Sequence, residues 1–330
     1  MKNLLITGVR GLTGKATADL FVAKSWNVIG IDNNSRAHFF GTEKQESDEA
    51  YPIYNVDIRS LVEMEEIFEY HKFDAVIHTA AQPSHDYATD HVLEDFDVNA
   101  RATVILLEMT RKYCPTATFV HVSTDKVYGE NMQDTLIEKE TRFEPMSWLG
   151  GFNEELDLDF AGDRSFFGCS KAAGDIYAQQ YAERGMTVGI FRPGCITGKN
   201  HQGAEQHGFL AYLAKCIKEG KTYTIFGYKG KQVRDQIHAD DVASAFWHFV
   251  ENPKSGGVYN LGGGFERSVS VLEAGEMFSK EIGKPFKYEL AEARKGDRAW
   301  DVHDISNFKT DYPDWDYKYS LKHIIKDLCE

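Results

Sequence analysis

A chain of 330 residues sets an expectation of about two structural units at the usual ~150 residues each. With 42% hydrophobic and 27% charged residues, the composition is that of an ordinary globular protein and excludes a disordered or collagen-like chain. The 51 acidic residues outnumber the 37 Lys and Arg and leave a net charge of −14, which argues against nucleic acid or an anionic membrane as partner while leaving room for a small anion held by a few arginines.

The first half alternates short apolar runs with amphipathic stretches. Asn3–Thr7 reads as a buried strand and Thr13–Lys24 as the helix behind it. Trp26–Ile31 is a second strand, Ser60–Tyr70 a helix, Ala75–Thr79 a strand and Val98–Lys112 a helix. Thr118–Ser123, Ser170–Glu183 and Thr187–Phe191 continue as strand, helix and strand. Such alternation implies a parallel sheet covered on both faces, a doubly wound, Rossmann-type α/β unit. After about Arg192 glycine and charge become denser. Helices near Gly208–Glu219, Asp240–Asn252 and Leu272–Ile282 then alternate with short strands at Tyr223–Phe226 and Val258–Leu261. The expected organisation is a larger unit over residues 1–192 and a smaller C-terminal α/β lobe over 193–330, with some exchange of segments.

The segment Gly8-Val9-Arg10-Gly11-Leu12-Thr13-Gly14 follows the first strand and opens the first helix. Glycines there let the backbone turn tightly and approach a pyrophosphate, which then sits at the positive end of the helix. The spacing is G-x-x-G-x-x-G, not G-x-G-x-x-G, so the turn alone is a weak signal. Asp32 strengthens it. It ends the second strand 18 residues beyond Gly14, where a carboxylate can hold the adenosine ribose hydroxyls and repel a 2′-phosphate. The pattern therefore points to a dinucleotide, NAD in preference to NADP, with Arg36 the nearby cation that speaks for the phosphorylated form.

Further segments follow in a fixed order. His78-Thr79-Ala80-Ala81-Gln82 ends a strand, Asp57-Ile58 follows an earlier apolar stretch, and Asn99 opens a helix. Ser123-Thr124-Asp125-Lys126-Val127-Tyr128-Gly129 ends another strand, and Phe167-Gly168-Cys169-Ser170-Lys171 begins another helix. Arg234-Asp235-Gln236-Ile237-His238 and Arg294-Lys295-Gly296-Asp297 lie in the C-terminal half. Together these resemble the extended short-chain dehydrogenase/reductase family of nucleotide-sugar epimerases and dehydratases, over essentially the whole chain. Within it, Asp32-Asn33-Asn34, Gln82-Pro83-Ser84-His85-Asp86, Thr124-Asp125-Lys126 and the segment 227–235 are most similar to the CDP-paratose (CDP-tyvelose) 2-epimerase group.

The resemblance implies an NAD site made of Gly8, Gly11, Leu12, Thr13, Gly14, Asp32, Asn33, Asn34, Arg36, Asp57, Ile58, Ala80, Ala81, Gln82, Asn99, Ser123, Lys171, Pro193 and Gly194. It places a nucleoside-diphosphate sugar against Ser84, His85, Thr124, Cys195, His207, Tyr223, Thr224, Phe226, Arg234, Arg294 and Asp297. Guanidinium forks suit a diphosphate because they pair bidentately with its oxygens at any useful pH. The resemblance also implies a homodimer through the helices near Val98–Lys112 and Ser170–Glu183. Leu106, Leu107, Met109, Ile176, Tyr177 and Tyr181 are the apolar side chains available there, shared with this subunit's own core.

One position departs from the family pattern. The motif is Tyr-x-x-x-Lys, in which tyrosinate takes a proton from the sugar hydroxyl, the lysine lowers its pKa and holds the nicotinamide ribose, and a Ser or Thr hydroxyl orients the sugar. Here Lys171 and Thr124 are present, but Phe167 holds the tyrosine place. A phenyl ring neither titrates nor hydrogen-bonds a hydroxyl. Three readings stand open: a substituted form of a tyrosine enzyme, a natural enzyme with another base, or a protein that binds without turnover. Lys171, Lys126 and Asp125 are the first alternative proton acceptors, with His85 and Cys195 behind them. Two further enzyme readings are a 4-epimerase and a 4,6-dehydratase. The dehydratases resemble Thr-Asp-Glu after the fourth strand, and Lys126 stands in that Glu place.

His201, Glu205 and His207 lack the His-Glu-x-x-His register that puts two imidazoles on one helix face, so no metal is expected. Cys114, Cys169, Cys195, Cys216 and Cys329 are scattered and never in Cys-x-x-Cys spacing, as in reduced thiols of a cytoplasmic protein. No apolar run reaches the ~18–20 residues of a membrane span.

Overall fold

The structure is a computed structural model that describes residues 1–35, 50–129, 136–146, 151–155, 165–199, 201, 208–294 and 297–330. Strand Asn3–Thr7 lies inside a seven-stranded, wholly parallel sheet. From one edge the order is Val258–Leu261, Val188–Pro193, Thr118–Val122, Ala75–His78, Asn3–Thr7, Asn27–Ile31 and Ile53–Tyr54. Period-two alternation gives each strand two buried faces. Leu4 and Ile6 join one core layer and Leu5 the other; Ala75 and Ile77 oppose Val76 in the same way. Phe21 of helix Leu12–Ala23 and Phe246 and Phe249 of helix Ala239–Glu251 cover the first face. Met64 of helix Leu61–Tyr70 and Leu106 of helix Ala102–Tyr113 cover the second. The edge strand Val258–Leu261 comes from beyond residue 193, so the chain crosses back into this layer after entering the second lobe.

The second lobe has its own core, in which helices Phe209–Glu219, Val271–Ile282 and Leu321–Cys329 bring Leu213, Ala274, Phe278 and Ile324 together. Strand Val233–His238 is its hub. It pairs antiparallel with Ser268–Ser270 and parallel with Trp300–Asp301 and Cys195–Thr197. No helix among the described residues is long and apolar enough to cross a membrane.

Several boundaries differ from the sequence expectation for local reasons. The helix expected from Ser170 begins at Phe166, because the Ser165 hydroxyl accepts from Gly168 N at 3.1 Å and caps it. The stretch from Val98 opens as a π-helical turn, Asp97–Arg101, before helix Ala102–Tyr113. Trp26 stays outside its strand and packs edge-on against Phe21, with ring centroids 5.3 Å apart.

Candidate active site

In a doubly wound sheet, ligands bind beyond the carboxyl ends of the strands where the strand order reverses. Here that point lies between Asn3–Thr7 and Ala75–His78, the strands that deliver Gly8 and Thr79. A single cavity of about 1070 Å³ opens there and runs into the second lobe.

The glycine turn forms its first wall. Gly8 takes φ +69°, and a Cβ on Gly14 would stand 2.2 Å from Gly8 O, so helix Leu12–Ala23 closes onto the strand only without a side chain there. No side chain caps the start of this helix and no acid occupies its first turn. Its free N–H groups and positive end therefore suit an anion. Asp32 braces the turn from the next strand, accepting from Arg10 N at 3.0 Å and Asn34 N at 2.8 Å. Beyond it, Asp57 accepts from Arg59 and from Asn33 Nδ2 (2.9 Å); burial acts to raise its pKa, but these bonds outweigh burial and hold the carboxyl below its usual range. These residues fit a dinucleotide: a bare helix end for the pyrophosphate and a carboxylate at the second strand's end for a ribose.

The end of strand Thr118–Val122 and the start of helix Phe166–Glu183 form the middle. Thr124 Oγ1 donates to Asp125 Oδ1 at 3.1 Å. Phe167 is 7% exposed and its ring lies 4.8 Å from that of His85. One helical turn on, Lys171 is buried and donates to Val122 O at 2.6 Å. Burial brings its ammonium down to about 8, against the opposing charges of Asp175 and Asp95. Asp175 is spent elsewhere. It pairs with Arg192 at 2.9 Å and accepts from Ser123 Oγ at 2.6 Å. Behind this wall His78 and His121 are fully buried, and desolvation holds both imidazoles neutral.

Arg298 and Asp301 of the second lobe complete a buried lattice of alternating charge with Asp125 and Lys126. Lys126 Nζ lies 2.8 Å from Asp125 Oδ2 and 2.7 Å from Asp301 Oδ2. Arg298 reaches the same two acids at 3.2 and 3.3 Å. Burial alone would raise the Asp301 pKa, but Arg298, Lys126 and Arg234 hold it well below the usual range. For Lys126, burial and Arg298 favour deprotonation, yet the two carboxylates win and raise its pKa. Asp235 and His303 form a second buried pair at 2.8 Å; burial would lower the imidazole, and the Asp235 charge raises it instead. Asp125, Asp301 and His303 stand close enough to suggest metal ligands, but Lys126, Arg298 and Asp235 already occupy them.

Of the expected site residues that are described, all but Asn99 and Thr224 line the one cavity. Arg36 and His207 lie outside the described residues. Asn99 is buried behind it, where Nδ2 donates to Gln82 O and Asp95 and Oδ1 accepts from Gln82 N, so it holds the Gln82 turn in place. Thr224 bonds Glu289 at 3.2 Å, while Tyr223, Ile225 and Phe226 of the same strand line the cavity. Arg294 stacks on Phe226 at 3.8 Å. Arg234 is 11% exposed and spends its donors on Asp297, Val233 O and Arg298 O. Cys195 lines the cavity, and burial pushes its thiol up to about 12. Sequence reasoning missed Asp301, His303 and Arg298. Each acts through partners far away in the chain, so no local spacing marks them.

The profile of the NAD dependent epimerase/dehydratase family matches residues 4–262. The chain belongs to that family. It is 30% identical to a CDP-paratose 2-epimerase of Salmonella typhi, over 99% of this chain and 98% of that one. A dTDP-glucose 4,6-dehydratase of Haemophilus influenzae is 27% identical over 97% of this chain and 90% of its own. Among solved structures, the UDP-glucose 4-epimerase of Thermus thermophilus in complex with NAD superposes with a TM-score of 0.82, at 23% identity over 99% of this chain and 97% of that one. The family and its fold, a large parallel sheet of Rossmann type with a mixed α/β lobe, are those expected from the motifs.

Proposed function

We propose that this member of the family is an NAD-dependent epimerase of a nucleoside-diphosphate sugar, and that the substrate is a CDP-sugar inverted at carbon 2. The observation that carries the reading is the single cavity, which joins the glycine turn and Asp32 to Thr124 and Lys171 and then to Phe226 and Arg294. A cofactor and a sugar nucleotide placed end to end meet at Thr124. The sugar and base are taken from the Salmonella typhi CDP-paratose 2-epimerase, similar over nearly its whole length.

NAD, when bound, accepts a hydride from a sugar carbon and gives it back, so the cycle shows no net oxidation. The turn at Gly8, Gly11 and Gly14 would hold its pyrophosphate, Asp32 its adenosine ribose, and Pro193 and Gly194 would flank the nicotinamide. Thr124 orients the reacting hydroxyl. Arg294, presented flat by Phe226, and Arg234 bind the substrate diphosphate, which requires Arg234 to release Asp297. The same chain would work as a homodimer in the cytoplasm.

A dehydratase is the second reading, carried by the Haemophilus influenzae relative. It is disfavoured by Lys126. Where that reading calls for a carboxylate, the chain holds a cation locked between Asp125 and Asp301. Turnover separates the readings. Given NAD and a panel of CDP-, UDP- and dTDP-sugars, the protein should interconvert C2 epimers of a CDP-sugar, observed by proton NMR. Loss of water from dTDP-glucose would instead support the dehydratase, and no turnover of any sugar would reject both.

A further inference from the structure

Oxidising a sugar carbinol needs a group that takes the hydroxyl proton, and the phenyl ring of Phe167 takes none. Most titratable groups lining the described cavity are committed. Lys126 is held protonated between two carboxylates. Asp125 receives Thr124, Lys126 and Arg298 together. The Cys195 thiol stands near 12, and the Tyr87 hydroxyl donates to Glu94 at 2.7 Å.

Lys171 differs from all of these. It sits one turn beyond Phe167 on the same helix face, is 3% exposed, and lines the cavity. Its Nζ is fixed by the carbonyl of Val122, two residues before Thr124. The charges that face it are Asp175 on its own helix, already paired with Arg192, and Asp95, which accepts from Gln82 and Asn99. From the sheet it faces His78 and His121, both neutral. With no carboxylate in contact among the described residues, desolvation decides, and a neutral amine becomes accessible near pH 8. A neutral amine that donates one hydrogen to Val122 O keeps its lone pair free.

We propose that Lys171 is the general base and acid of this site, taking over at Nζ the proton transfer that position 167 cannot perform. The inference rests on the NAD-dependent sugar oxidation proposed above. In the oxidising direction the sugar O–H bond breaks and its proton goes to the Nζ lone pair. The C=O bond forms, and the C–H electron pair leaves with its hydrogen to NAD. The return step reverses each transfer.

The wild-type protein supplies the first test. The rate of the first half-reaction, followed as NADH absorbance in a single turnover, should rise about tenfold per pH unit below pH 8 and level off above it. A limb near pH 6.5, the usual imidazole range, would assign the proton to a histidine and overturn the proposal. The second test needs neither cofactor nor sugar. Pulse acetylation with acetic anhydride, read by mass spectrometry, should modify Lys171 with half-maximal reactivity near pH 8; a midpoint above 10 would overturn the proposal. In Lys171→Ala, primary amines should restore at least tenfold in rate, more for more basic amines at equal free-base concentration. Rescue independent of amine basicity would show a positioning role only and contradict the assignment. If Lys171→Ala does not fold, as judged by circular dichroism and thermal melting, the two wild-type tests still decide. Failure of the wild type to turn over any sugar would reject the function reading, whereas turnover with the wrong pH limb would reject only Lys171.

Discussion

Lys126 Nζ stands 2.7 Å from Asp301 Oδ2, and that contact joins the end of a strand in the large sheet to the second lobe, 175 residues further along the chain. Both groups are largely withdrawn from water, and Asp125 and Arg298 close the set into alternating charges. Breaking such a cluster from one side leaves buried charge without a partner, which is far costlier than losing a surface pair.

Asp301→Asn should therefore destabilise the protein by about 3–5 kcal/mol at neutral pH, measured by urea unfolding. The pH dependence has a definite sign. A carboxyl held below its unfolded pKa contributes fully above about pH 4 and loses that contribution as pH falls through its folded value. Wild type and Asp301→Asn should accordingly converge in acid. Lys126, with its pKa raised, contributes up to about pH 10.5 and loses its share as pH rises through the folded value.

Lys171 has the opposite balance. Its folded value of about 8 lies below that of a free lysine, so the unfolded chain holds the proton more tightly and burial of the ammonium costs stability. Lys171→Met should gain about 2–3 kcal/mol at pH 7, after some loss from the bond to Val122 O. The gain should shrink between pH 8 and 10.5 and vanish above. Thermal melts across that range check it; a variant less stable at pH 7 would contradict the account. A site that keeps a costly buried cation is one in which stability yields to chemistry.

Asp32→Ala should weaken NAD binding about tenfold, by removing charge-assisted acceptors from a ribose, and should bring NADP closer to NAD in affinity. Titration of both dinucleotides against intrinsic fluorescence reads the ratio. An unchanged preference would mean that Asp32 only braces Arg10 N and Asn34 N.

On helix Phe166–Glu183, Ile176 and Tyr177 are 41% and 52% exposed, whereas Leu106, Leu107 and Met109 of the neighbouring helix are buried in this subunit's own core. Tyr181 is tied to Glu108. A second copy covering the outer face would therefore rest on Ile176 and Tyr177. Ile176→Glu with Tyr177→Glu should convert a dimer into a monomer by light scattering; a wild-type monomer would contradict the dimer.

The parts of the site written in contiguous spacing were legible from the chain. The glycine turn with Asp32 after the second strand, and Phe167 one turn before Lys171, need only local geometry to be brought to the sheet's end. The charge lattice was not legible, because Asp301, Arg298 and His303 acquire meaning only when strand Trp300–Asp301 pairs beside Val233–His238. In the sequence Lys126 stands only as a candidate proton acceptor beside Asp125. Its clamp shows only when Asp301 arrives from the other lobe.

The most direct test of the account follows the hydrogen at the inverted carbon. A CDP-sugar carrying deuterium at carbon 2 should emerge as its C2 epimer with the label still on carbon 2, because the hydrogen that leaves as hydride returns to the same carbon within one turnover. Label exchanged into solvent water, or full retention of configuration with every CDP-sugar offered, would contradict an NAD-dependent 2-epimerase.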